Sequence, residues 1–224
     1  WLRHDGGFVD RVNPYTGAIV DENANWMRSE AGNAAATIVS NESLEITPSF
    51  RYQATDINDT SAFFLNLSDP AHGVLRNGSG LAQFYSDRFS LASLKIAAAF
   101  GFAGLSSETA YIRRDASALV DNATLDGLNQ PGYAAAKGDP VSLDQTVLSQ
   151  ELRLASPDEA GRLRWIVGAS YIHARYKENQ DIATSALADG GALSGRQQID
   201  RLRGQLGAYG ELDLRLQQRL RGSV

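Results

Sequence analysis

The 224-residue sequence contains no cysteine, one methionine and three histidines. Without cysteine there is no disulfide, no thiolate metal ligand and no thiol nucleophile. His4, His72 and His173 are too scattered to suggest a metal site. Long hydrophobic runs are also missing. No stretch approaches the ~18 consecutive apolar residues of a spanning helix, which excludes a helical membrane bundle. Basic charge is short as well: 21 Lys and Arg face 26 Asp and Glu, for a net charge of -5. A nucleic-acid partner is therefore not expected, because that affinity comes from clustered cations. Residues 1–5 are not the charged, then apolar, opening of a signal peptide. The chain shows no natural-looking start or stop and is expected to be an excerpt of a longer protein. The missing signal then says nothing of compartment. No nucleophile–base pair or metal constellation survives inspection, so neither an enzyme nor a cofactor is expected.

What the sequence has in abundance is alternation. Residues 149–176 organise the chain. Leu148, Leu152 and Leu154 alternate with Ser149, Glu151 and Arg153, and Pro157-Asp158-Glu159-Ala160-Gly161 breaks the pattern with turn residues. Leu163, Trp165, Val167, Ala169 and Tyr171 then share one face of a returning strand, which is a hairpin signal. The same plan recurs. Over 44–55, Leu44, Ile46, Pro48, Phe50, Tyr52 and Ala54 fall on one face, although Pro48 cannot donate to a ladder. Strands are also predicted over 26–39, 88–100 and 105–113, and 6–12 reads as the end of another. Over 201–216 the leucines form one stripe at 180° per residue and scatter at 100°, so a helix fails. Short turns near 41, 102, 159 and 217 alternate with long loops over about 56–86, 116–145 and 177–197. Short connections therefore share one end of the sheet and long loops the other.

Strand length decides the class. Twelve residues at ~3.4 Å and a tilt of ~40° cover roughly 30 Å, against ~25 Å of apolar outer membrane. The fold predicted is all-β, an antiparallel up-and-down transmembrane β-barrel segment of about nine long strands forming one partial barrel domain over 1–224. The competing reading is a soluble antiparallel sheet with one buried face. In the barrel, Arg51, Glu151, Arg153, Arg203, Glu211 and Asp213 would line a wet lumen as structural charges rather than acid–base groups. Phe50, Tyr52, Phe100, Trp165 and Tyr171 would sit at the membrane interfaces. Phe63, Phe64, Tyr85 and Tyr133, placed in the long loops, are the candidate ligand contacts, because aromatic side chains have few rotors to immobilise. Asp56-Ile57-Asn58-Asp59 lacks the pattern of a calcium loop, and Asn77-Gly78-Ser79-Gly80 lacks the strand-to-helix setting of a phosphate loop. Both read as polar loop.

The hairpin SQELRLASP…LRWIVGASY resembles that in barrels of TonB-dependent outer-membrane receptors. DRVNPYTGAIVDENANW (10–26), SLEITPSFRYQ (43–53) and AYGELDL (208–214) are similar to other stretches of the same barrels, in the same order. The resemblance implies a 22-stranded barrel filled by an N-terminal plug and energised by TonB, in the outer membrane of a Gram-negative bacterium. It would import a scarce siderophore, vitamin or carbohydrate, as a small molecule or metal chelate. The chain would be a middle portion, lacking plug, TonB box and closing strand. Its partners would be outer-membrane lipid, the solute, and the TonB complex through the plug. A passive porin, an autotransporter barrel and a soluble β-sheet binding or adhesin module remain as alternatives. The solute itself is not legible.

Overall fold

The computed structural model describes residues 1–41, 43–121, 138–157, 163–186 and 192–214. Among them are twelve strands: β1 (Leu2–Asp5), β2 (Asp10–Val12), β3 (Ile19–Asp21), β4 (Met27–Ala35), β5 (Ile38–Asn41), β6 (Leu44–Ile57), β7 (Arg76–Asn77), β8 (Tyr85–Phe100), β9 (Ala103–Asp121), β10 (Gly138–Ala155), β11 (Leu163–Ala186) and β12 (Ala192–Leu214). One 3-10 turn, Pro70–His72, completes the inventory of these residues. Nine strands form one sheet in the order β1-β4-β6-β8-β9-β10-β11-β12, with β5 also on β6; β2, β3 and β7 form a second, three-stranded sheet. Every pairing in the large sheet is antiparallel and sequential along β8 to β12. The predicted class holds: an up-and-down sheet of long strands that resembles a segment of barrel wall.

The strands are longer than alternation alone suggested. Strand β9 has 19 residues, β10 18, β11 24 and β12 23, against ~5–6 in ordinary sheets. Much of the expected loops at 116–145 and 177–197 is strand. The reason is visible in the register. Past Tyr111, Leu148 and His173, the apolar face turns charged, carrying Arg113, Asp115, Asp144, Arg175 and Lys177, so alternation fades while the ladder continues. Cross-strand and near-neighbour ion pairs replace apolar side chains there. Arg88 holds Asp56 at 2.8 Å, Arg113 holds Asp115 at 2.9 Å, Arg175 reaches Asp200 at 3.3 Å and Arg196 holds Asp181 at 2.6 Å.

Cross-strand pairing fixes which residues share a face. One continuous row runs Phe50, Ala92, Tyr111, Leu148, His173, Gly204. Two residues nearer the short turns, Pro48, Leu94, Thr109, Gln150, Tyr171 and Leu206 line up, and beyond them Ile46, Ile96, Ser107, Leu152, Ala169 and Ala208. This is the apolar face. Its polar members serve each other: Thr109 Oγ1 donates to Gln150 Oε1, and Gln150 Nε2 donates to Ser107 Oγ at 3.0 Å. An amide on such a face is costly unless it is hydrogen-bonded. The opposite face carries Ser49, Ser93, Lys95, Glu108, Glu151 and Arg203, among others.

Among the described residues, no second layer covers the apolar face. Leu206 is 80% exposed, Leu202 and Leu212 69%, and Phe50, Phe100 and Val167 nearly half. Total accessible surface is 15328 Å², whereas a folded monomer of 24.2 kDa exposes about 10,000 Å². The sheet thus has no core of its own.

Apart from Ala103, which follows a short turn, the buried residues cluster towards the long-loop end. There Val9, Val12, Ala24, Asn25, Asp59, Asn77, Ser79, Asp121 and Asp139 are all buried. The small sheet joins the chain around 6–26 to the chain around 56–84: Asp10 and Arg11 pair in parallel with Arg76 and Asn77. Asn25 Oδ1 accepts from the backbone N–H of Phe8 and Val9 at 2.7 and 2.8 Å. Asp59 accepts from the N–H of Thr60 and Gln83 at 2.8 and 2.9 Å and faces Arg11 at 3.3 Å. Gly7 is required at this junction, because a Cβ would stand 1.9 Å from the Asn23 carbonyl oxygen. The loop expected at 56–86 is therefore a folded cap.

Two local features follow from sequence. Pro48 lies where β4 ends and β5 begins: Ala35 pairs with Ser49 and Ile38 with Ile46, leaving Ala36 and Thr37 outside both strands. Proline offers no N–H to a neighbour, so the ladder gaps there, although its carbonyl still accepts from Ala36 N–H at 3.1 Å. On the polar face, Tyr209 lies over its cross-strand partner Gly168 and donates to Glu151 Oε1 at 2.9 Å. A Cβ on Gly168 would fall 2.3 Å from Tyr209 Cζ. Gly168→Ala should displace the ring, break its bond to Glu151 and destabilise the protein by about 1 kcal/mol. Thermal unfolding checks this, and Tyr209→Phe should lose less because it keeps the ring in place.

Candidate functional site

The polar face at the long-loop end holds a set of hydrogen-bonded side chains. Tyr85 and Asp87, two apart at the start of β8, point to one side, as do Tyr176 and Glu178 on β11. Between them lie β9 and β10, whose residues on this side are small or aliphatic: Ala116, Ala118, Val141 and Leu143. The result is a trough of about 220 Å³ with Tyr85 and Arg114 at one wall and Tyr176 and Glu178 at the other.

Arg114 ties the first wall together. Its Nε donates to Asp87 Oδ1 at 3.0 Å and its Nη2 to Asp87 Oδ2 at 2.7 Å and to Tyr85 Oη at 3.3 Å. Tyr85 in turn donates to Asp87 Oδ2 at 3.0 Å. The Arg114 hydrogen bonds hold the Asp87 carboxyl below the usual carboxylate range, against a smaller opposing effect of burial, and Asp87 raises the Arg114 guanidinium. At the second wall Tyr176 donates to Glu178 Oε2, which raises the phenol. Each wall is thus a tyrosine locked to a carboxylate.

The sequence-predicted residues are distributed as follows. Arg51, Glu151, Arg153, Arg203, Glu211 and Asp213 all register on the polar face. Three of them, Arg153, Glu211 and Asp213, meet Arg164 around a groove of about 250 Å³ at the short-turn end. Phe50, Tyr52, Phe100, Trp165 and Tyr171 all register on the apolar face. They form two groups, Phe50, Tyr52 and Tyr171 towards the charged zone and Phe100 and Trp165 towards the short turns. The Tyr171 ring lies 6.5 Å from His173 and the Phe100 ring 6.1 Å from Phe102.

The loop aromatics are not brought together. Tyr85 is a correction in location: it opens strand β8 instead of lying in a loop, because Ile57 and Ala118 already flank it in the ladder. Phe64 is half-buried in the cap, near the close approach of Gly78 to Leu67 and Pro14. Phe63 is 39% exposed. Tyr133 lies outside the described residues. The two motifs read as polar loop have their groups engaged internally. Asp56 is held by Arg88 and Asp59 faces Arg11, while Ser79 Oγ donates to the Asp121 carboxylate. No group of three or more potential metal ligands occurs among the described residues. Arg114 and Tyr176 were missed because the stretch around them was read as the margin of loops. The available signal was the matching spacing of Tyr85-Ser86-Asp87 and Tyr176-Lys177-Glu178.

No protein-family model matches the sequence, and no curated protein does. Among solved structures, the chain is similar to the ferric yersiniabactin uptake receptor FyuA from Yersinia pestis, with a TM-score of 0.54 and 14% identity over 92% of this chain. The likeness is one of fold. The chain spans 38% of that receptor. The sheet described above is thus built like a stretch of that receptor's barrel.

The Asp87–Arg114 pair gives a pH signature. Because the folded carboxyl titrates below its unfolded value, its contribution is complete above the ordinary carboxylate range and is lost as pH falls through the folded value. Asp87→Asn should lower stability by ~1 kcal/mol at neutral pH, a figure kept small because the pair is partly exposed. The deficit should shrink as pH drops below ~4. Melting curves of both proteins from pH 3 to 8, in steps of about one unit, check the convergence.

Proposed function

We propose that the chain forms part of an outer-membrane active-transport receptor that imports a scarce solute. One observation carries this reading: an uncovered apolar face ends along a row of residues beyond which charged pairs take over. On β11 the apolar stretch runs from Leu163 to His173, about 11 residues, or roughly 28 Å after tilt. That fits the ~25 Å apolar band of an outer-membrane barrel. The apolar face then meets hydrocarbon, with the two aromatic groups at its margins, and the polar face lines a lumen. Fold likeness to a siderophore uptake receptor supports the same assignment.

In this reading Arg51, Glu151, Arg153, Arg203, Glu211 and Asp213 hydrate and pair within the lumen. The long-loop end lies outside the cell, so the folded cap with Phe63 and Phe64 stands at the solute's entrance. Tyr133 would join it from the loop between β9 and β10. Energy would come from TonB, acting through a plug domain that occupies the lumen.

Adjacent residues on one strand separate this from a soluble sheet. Leu206→Arg would set a guanidinium into hydrocarbon at a cost of ~2–4 kcal/mol, whereas Gln205→Arg would point the same group into water. The full-length Leu206→Arg receptor should reach the outer membrane poorly on fractionation, and Gln205→Arg should be recovered there normally. Equal recovery of both would refute the membrane assignment. Solute uptake by the full-length protein should stop when the proton gradient is collapsed.

A further inference from the structure

Given the importer reading, we propose that the trough between the two tyrosine–carboxylate walls is a subsite for a neutral, hydroxyl-rich solute, one ring of a saccharide, rather than for an anionic metal chelate. The geometry comes first. Strands β8 and β11 are three strand spacings apart, about 14 Å, so the walls are separated by the width of a sugar ring with room for side chains. The floor of Ala116, Ala118, Val141 and Leu143 offers a flat aliphatic surface to the C–H face of such a ring. At about 220 Å³, the trough is smaller than the ~300–1,000 Å³ of a complete ligand pocket. It therefore holds one unit of a larger solute.

Charge selects the class. Asp87 and Glu178 contribute two negative charges to this face. Arg114 and Arg201, the cross-strand neighbour of Tyr176, contribute two positive ones. Arg114 is turned into Asp87 by three contacts between 2.7 and 3.1 Å, so its charge is already matched. With Asp87 and Arg114 matched to each other, Glu178 and Arg201 leave this face without net charge, so an anionic chelate gains no net attraction. A vicinal diol needs the opposite arrangement: fixed acceptors for its O–H groups and fixed donors for its oxygens. A carboxylate has about four lone-pair sites. Those of Asp87 are taken by Arg114 and Tyr85, whereas Glu178, which lines the trough and accepts from Tyr176, keeps sites for a hydroxyl. The tyrosine rings beside these groups supply rigid apolar contact. A site built to bond hydroxyls also rejects solutes that lack them, because its own polar groups are then left unpaired.

The test uses the full-length receptor purified in detergent, titrated calorimetrically with maltose, cellobiose and lactose and, separately, with ferric citrate. At least one disaccharide should bind saturably. Tyr176→Ala should weaken it about tenfold or more, and Tyr176→Phe, which keeps the ring and the fold, by a few-fold. Glu178→Gln should weaken it as well. The absence of saturable disaccharide binding up to about 10 mM would overturn the assignment, as would binding indifferent to Tyr176→Ala. Tight binding of ferric citrate that is lost in Arg114→Ala would also overturn it. If ferric citrate is still taken up in an energy-dependent way, the importer reading survives that failure. A receptor absent from the outer membrane would remove both.

Discussion

Backbone hydrogen bonding across strands is the constraint on which everything else depends. A sheet that faces hydrocarbon on one side has no water there to satisfy an N–H or a C=O, so each must be met by the neighbouring strand. From β6 to β12 the pairing runs without a slip through the apolar zone. That continuity also fixes side-chain parity. A shift of one residue in any strand would send its charges to the apolar side and its leucines to the polar side. The ladder therefore assigns Leu206 and Gln205 to opposite faces more firmly than any packing contact does.

Parity explains how much could be read from sequence. The hairpin over 149–176 and the last long strand were legible because apolar and polar residues alternate strictly there, and both have the faces expected of them. Legibility ended where the environment stopped being two-sided. Around Asp115, Asp144, Lys177 and Asp200 the otherwise apolar face is charged while the other mixes Arg114 and Glu178 with Ala116 and Leu143, and such a stretch looks like loop although its backbone is fully extended. Tyr85 was assigned to a loop for the same reason. The strand over 26–39 was only partly right, since Pro48 interrupts its partner ladder.

The cap was invisible for a different reason. Its interior is made of Asp59, Asn77, Ser79, Asp121 and Asp139 together with a few small apolar residues. Composition of that kind ordinarily marks exposed chain. Burial is tolerated because the polar groups bond to backbone and to each other, as Asn25 and Asp59 do. Nothing in the periodicity of 6–26 or 56–84 announces that these two stretches form a common sheet. Their contact is made by the parallel backbone pairing of Asp10 and Arg11 with Arg76 and Asn77 and by side-chain amides, Asn58 Nδ2 donating to the Ala24 carbonyl and Asn25 Nδ2 to Ser61 Oγ.

The reach of β11 and β12 past the apolar zone has a thermodynamic corollary. From His173 the ladder continues through Gln180 and Asp181, with Gln197 and Arg196 opposite. The trough's walls consequently stand on hydrogen-bonded backbone instead of on free loops. A molecule settling between them does not have to freeze the chain that receives it, so little of the association free energy is consumed in ordering the protein. In the importer reading proposed above, stiff rims of this sort would favour rapid discrimination by shape.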